Sequence, residues 1–186
     1  MFSAEYHNIK LILGLIICAL FIIPNVLGQA VFSSEYSDFS DEFCVGFDSP
    51  EPGSDGWEEC KGKGNYKIHI YYDHYGDRIA HVLDIDGEFM TDLVASDCGM
   101  RQNYGEKLEW RFADGEPFAC IIRVHCFDQE EKEKGELEFY NLNEYLLVRG
   151  LQGYVYINTD VDVKKNPNAN EVARSIADKG YKRKNK

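Results

Sequence analysis

Hydrophobic positions along the chain follow three patterns in turn. First comes an unbroken apolar run, Leu11 to Ile23, ended by Pro24 and followed by the small or β-branched residues Val26-Leu27-Gly28. A run of that length is short for a bilayer core of ~30 Å and has the layout of a secretory signal peptide. This predicts a signal over 1–28, cleavage before Gln29, and a product with no membrane span after cleavage. Cys18 does not mark a lipid-attachment site, because Ile16 and Ile17 stand where small residues are needed.

The second pattern is alternation, which fills the middle of the chain. Gln29 to Ser40 is polar with interspersed aromatics and predicts an arm or a first short strand. In Tyr66–Tyr72, Ile68, Ile70 and Tyr72 share one face of a strand. Ile79 to Ile85 continues as a second strand, closed by the hairpin dipeptide Asp86-Gly87. Thr91 to Met100 has no clear period and fits a short helical turn before a loop. Leu108, Trp110 and Phe112 alternate with Glu109 and Arg111. Asp114-Gly115 turns the chain, and Phe118, Cys120, Ile122, Val124 and Cys126 then share a face of the returning strand. That strand is apolar on both faces and predicts a central position. The charged stretch Asp128 to Glu136 predicts a solvated loop. Strand character returns at Glu138–Tyr140, Tyr145–Val148 and Tyr154–Ile157.

The third pattern is helical. From Pro167 to Lys179, Val172, Ala173, Ile176 and Ala177 form one stripe, Asn166, Asn168 or Asn170 can cap the start, and Gly180 marks the stop. The expected fold is therefore mainly β: a single antiparallel domain of about six to eight strands, sandwich- or barrel-like, with one C-terminal α-helix against it. The expected layout is a signal at 1–28, one secreted domain at 29–178 and a basic disordered tail at 179–186. Trp110, Phe112, Phe118, Ile122 and Val124 are the expected core. Arg111 and Arg123 are expected to pair with Glu109 or other surface acids.

Charge narrows the class of partner. The whole chain carries a net −12, and residues 29–178 hold 14 basic against 31 acidic residues, a net of −17, while the last eight residues are only basic or neutral. Such a body repels nucleic acid and anionic lipid and steers cationic partners.

After cleavage five cysteines remain, an odd number. Cys44 and Cys60 flank a Gly-, Pro- and acid-rich segment and predict a disulfide. Cys120 and Cys126 lie six apart on one strand, about 20 Å by strand rise, and cannot join each other. Cys98 is left to pair with either one, or all three are reduced and buried.

Catalytic signatures are missing: no Gly-x-Ser-x-Gly, His-Glu-x-x-His, Cys-x-x-Cys or phosphate-cradling glycine loop occurs. Asp84-Ile-Asp86-Gly87 fails as a calcium loop, since Val82 and Leu93 stand at its first and closing ligand positions. No cofactor or metal is therefore expected. Trp57, Glu58 and Glu59 form a candidate binding surface beside the expected disulfide. His69, His81 and Asp84 form an alternative site, because the two histidines face each other across the first hairpin.

Several blocks stand out together: Glu35-Tyr36 to Phe39 with Cys44, Glu59-Cys60 to Tyr66, Gly76-Asp77-Arg78, Leu108-Glu109-Trp110-Arg111-Phe112, Pro117-Phe118-Ala119, Ile121 to Val124, Leu146 to Val148, and Asn170 to Asp178. In these blocks the chain resembles a family of exported bacterial proteins with no assigned activity. Glu-Trp-Arg and Ala-Arg-x-x-Ala-Asp are the most distinctive. The resemblance implies export and a shared fold and transfers no catalytic residue. Cys44 and Cys60 fit its pattern, while Cys120 and Cys126 depart from it.

The sequence thus points to an exported protein, periplasmic or extracellular, acting as a binding module for a basic protein or a small ligand, for example as an inhibitor of a cationic envelope enzyme or a ligand-binding scaffold. The alternative is a small hydrolase built from dispersed strand residues.

Overall fold

The computed structural model describes residues 30–39, 41–49, 56–72, 77–98, 101–131 and 137–185, so the expected signal peptide lies outside the described residues. From Val31 onward the chain forms two five-stranded antiparallel sheets with a shared core and one C-terminal helix. The first sheet has the order β1-β7-β8-β9-β10, with β1 Phe32–Asp38, β7 Gln102–Ala113, β8 Glu116–Glu131, β9 Leu137–Gly150 and β10 Asn158–Asp162. The second runs β2-β3-β4-β5-β6, with β2 Cys44–Phe47, β3 Trp57–Lys61, β4 Tyr66–Tyr72, β5 Arg78–Asp84 and β6 Met90–Asp92. The mainly β architecture expected from alternation is present as a sandwich.

Alternation decides which side chains fill the core. Leu108, Trp110, Phe112, Cys120, Ile122, Val124 and Leu147 meet Cys60, Ile68, Ile70, Ala80 and Val82 from the facing sheet, all buried. The β7–β8 hairpin turns through Asp114 (φ 53°) and Gly115 (φ 91°), the two left-handed positions a tight hairpin of this hand requires.

Phe118 is buried, but it does not share the face of Cys120 and Ile122. A register shift between Arg111 and Phe112 leaves an extra residue on β8. Its ring packs instead on Phe32, Tyr154 and the helical Tyr181, at 5.9, 5.7 and 5.0 Å.

Two disulfides cross-link the described residues, one within the second sheet and one from the segment after β6 to β8. Cys44 and Cys60 are direct cross-strand partners on β2 and β3, as expected. For a closed loop of this length the chain-entropy account gives about 3 kcal/mol. Cys98 pairs with Cys126, leaving Cys120 free and fully buried. Burial pushes the Cys120 thiol up to about 12, so it behaves as a small hydrophobe.

The charged stretch after Cys126 is not simply a loop. β8 continues to Glu131 and pairs with β9 beyond the last β7 partner, Gln102. Residues 132–136 lie outside the described residues.

The helix α1, Ala169–Lys184, lies across β7–β10 with Ala169, Ala173 and Ala177 buried. Small residues at this spacing let the helix axis approach the sheet closely. Beneath it, Arg111 donates to both carboxylate oxygens of Asp178 (2.7 and 2.8 Å) and to the Ser34 hydroxyl, which in turn donates to Glu109. Arg174 grips Glu109 from the helix side (2.8 and 3.0 Å) and reaches Tyr36 at 3.1 Å. Arg111 therefore pairs with a helix acid rather than with Glu109, and Arg123 pairs with Glu144. The Glu-Trp-Arg and Ala-Arg-x-x-Ala-Asp blocks are the two halves of this one junction.

The C-terminal region departs from the sequence pattern at two places. Tyr154–Ile157 is a turn rather than a strand, with Gly153 at φ 81° and Tyr154 stacked on Tyr181 at 5.4 Å; the strand follows at Asn158–Asp162. The helix also does not stop at Gly180 but runs to Lys184, taking in most of the expected disordered tail. Lys182 lies over the Phe32 ring and Lys184 over Tyr154, so contacts from these residues carry the helix through the glycine.

Gly180 is a packing residue. A Cβ there would lie 2.5 Å from the side chain of buried Ile157. Helix propensity alone favours Gly180→Ala by about 1 kcal/mol, whereas overpacking costs about 1–3 kcal/mol. The expected outcome is a net loss of about 1 kcal/mol, read as a lower urea midpoint. A gain in stability would show that the helix end moves freely against Ile157.

Candidate functional site

The two outer sheet faces differ. Helix α1 covers that of the first sheet, whereas among the described residues no helix lies over that of β2–β6. Strand pairing sets two rows of side chains across this open face. One runs Val45, Glu59, His69, His81, Asp92; the other runs Phe47, Trp57, Tyr71, Ile79.

The rings touch in sequence across four strands. Phe47 stacks on Trp57 (5.5 Å), Trp57 meets His69 (6.3 Å), His69 meets Tyr71 (6.4 Å) and Tyr71 stacks on His81 (5.1 Å). The path ends at Asp92, whose carboxylate lies 2.7 Å from His81 Nδ1. Phe47 and Tyr71 are exposed, and Trp57 and His69 are half-buried. Burial, with help from His81 and Lys67 and against the pull of Glu59, holds the His69 imidazole below its usual range, so the ring is neutral at pH 7. Aromatic surface of this kind suits partner binding through buried apolar area and through cation–π attraction.

Each site residue expected from the sequence has a definite place. Trp57 and Glu59 share the open face, and Glu59 accepts from Lys67 at 2.9 Å. Glu58 points to the opposite face, where it accepts from Tyr72 (2.6 Å) and Arg78 (3.5 Å). The expected binding surface is thus divided by strand alternation. His69 and His81 are direct partners on the open face. Asp84 is on the other face, buried, accepting the Phe89 amide at the β5–β6 turn. The carboxylate that does reach His81 comes from Asp92.

Phe47, Tyr71 and Asp92 were not anticipated. Tyr71 could have been found from its spacing of two from His69. Asp92 lies in a stretch without periodicity, and nothing local pairs it with His81.

Beyond Asp92 the open face runs into a cleft of about 650 Å³ between β6 and β10. Arg149 forms its floor, paired with Asp160 at 2.7 Å and donating to the carbonyls of Asp92, Val94 and Thr159. Burial raises the cost of charge on Asp160, but the Ser96 amide and Arg149 outweigh it and hold the carboxyl below its usual range. Among the described residues no group of three or more His, Cys, Asp or Glu is placed to hold a metal ion. No helix there is long and apolar enough to cross a membrane.

The chain matches no protein-family model, no curated protein and no solved structure.

Proposed function

We propose that this protein is an exported, non-catalytic binding module that uses the open face of β2–β6 to hold a basic partner protein. The observation that carries the reading is the continuous path of rings from Phe47 to His81, on the sheet face that the helix leaves open. Two disulfides are compatible with export, and the net charge of −12 favours a cationic partner. Inhibition of a cationic envelope enzyme is one use of such a face; a scaffold for a small ligand is another.

The test is affinity capture with the purified protein from envelope and secreted fractions, at low and high salt. Raising salt from about 0.1 M to about 1 M shortens the screening length from ~10 to ~3 Å and should release the partner. Trp57→Ala is expected to weaken binding by about 1–3 kcal/mol, as loss of an interface aromatic does, with no change in folding midpoint above about 1 kcal/mol. Capture that ignores both salt and Trp57 would refute the proposal.

A hydrolytic reading rests on the His81–Asp92 pair. Its side-chain exposure is 10% for the imidazole and 61% for the carboxylate, the reverse of a dyad in which the histidine meets substrate. Turnover of an ester or glycoside that is lost in His81→Ala would transfer the assignment to that reading.

A further inference from the structure

We infer that the cleft between β6 and β10 accepts a lysine or arginine side chain from a basic partner segment, a reading that rests on the binding-module function and gives it a contact point. Two properties of the lining point to that chemistry. The lips are apolar and exposed, with Met90 at 57%, Val155 at 55% and Val94 at 39%. Among the described residues the charged lining is acidic, with Asp92, Asp97 and Asp160 against one cation, Arg149, beside the neutral Thr91, Ser96, Asn158 and Thr159.

That cation is not available to a ligand. Arg149 is 8% exposed at its side chain and is committed to Asp160 and to backbone carbonyls. Asp160 is committed in turn to Arg149 and the Ser96 amide. The charge left to meet a partner is that of Asp92 and Asp97, both on exposed residues. His81 fixes Asp92 from below through its 2.7 Å contact, so this carboxylate is positioned before any partner arrives.

An apolar rim around carboxylates matches one kind of side chain: a long aliphatic stem with a cationic head. An anionic group would meet repulsion, and a purely apolar one would leave the carboxylates without a counter-charge. The cleft continues the ring path through Asp92, so a basic segment crossing the rings would reach it. The occupant is therefore a segment of a basic protein.

The test uses two labelled peptides, one alternating Lys and Leu and one of Lys alone, titrated by fluorescence anisotropy. A ¹³C-methyl signal from Met90 is followed on the parent protein. The alternating peptide is expected to bind and to shift the Met90 methyl. Acetylation of its lysines, or the double change Asp92→Asn with Asp97→Asn, should weaken it roughly tenfold.

A Met90 methyl that does not move, or a double variant that binds like the parent while Trp57→Ala loses binding, would overturn the cleft and leave the binding-module reading standing. Equal binding of a simple alkylamine would overturn the peptide segment as occupant. Failure of both peptides to bind at low salt would overturn both readings. The methyl signal is read on the unaltered protein, so the result holds even where the double variant does not fold.

Discussion

Arg111→Ala should lower folding stability by about 3–5 kcal/mol, the range for breaking a buried ion pair from one side. Arg111 is 8% exposed at its side chain, and its guanidinium holds both oxygens of Asp178. Truncation leaves that carboxylate under the helix without its counter-charge and deprives the Ser34 hydroxyl of a donor. Arg174 cannot substitute, because Glu109 already binds it and raises its affinity for its proton further. The readouts are the urea midpoint and tryptic cleavage at Lys179 and Lys182, which should speed up as α1 loses its hold on the sheet. Replacing both partners by apolar residues, Arg111→Met with Asp178→Leu, should recover most of the loss. A single variant less than about 1 kcal/mol below the parent would show that α1 docks through its alanines alone.

Trp110→Ala should be comparably severe, at about 3–5 kcal/mol. The indole is fully buried at the centre of the sandwich, stacks 6.1 Å from Tyr66 of the facing sheet, and donates to Ser37 at 3.0 Å. Truncation opens a cavity between the sheets and leaves the buried Ser37 hydroxyl without its donor. Domains of this kind are stable by about 5–15 kcal/mol, so the variant approaches the unfolding threshold. Trp110→Phe keeps much of the volume and should lose less. Chemical denaturation with an unchanged slope would attribute the whole effect to packing.

Much of the fold was legible because alternation is a local signal. Ile68 and Ile70, Leu108 and Trp110, and Ile122 and Val124 each declare their inward face within a few residues. What escaped depends on distant partners. Phe118 keeps the sequence rhythm, yet an extra residue in the ladder turns it towards the helix. Gly180 reads as a stop, yet Ile157, far back in the chain, needs a residue without a Cβ there. Tyr154 and Tyr156 have strand propensity, but Tyr154 stacks on Tyr181 and the Tyr156 hydroxyl donates to the Gly180 carbonyl. The site was half legible. Trp57, His69 and His81 stand out by residue type, whereas Asp92 joins them only through pairing of β5 with β6. Glu58 was separable from Trp57 and Glu59 by parity alone.

Pairing of β1 with β7 couples Phe32 to Ala113, and Tyr36 of that first strand is held by Arg174 near the end of the chain. The first sheet therefore cannot close until nearly the whole polypeptide is present. Such high contact order places folding in the slow, millisecond-to-second regime of β-sandwiches. Such a delay would suit the export proposed above, in which the chain crosses a membrane before it folds. Its first strand has no ladder partner until β7 has been added, and no hold from the helix until Arg174 has followed.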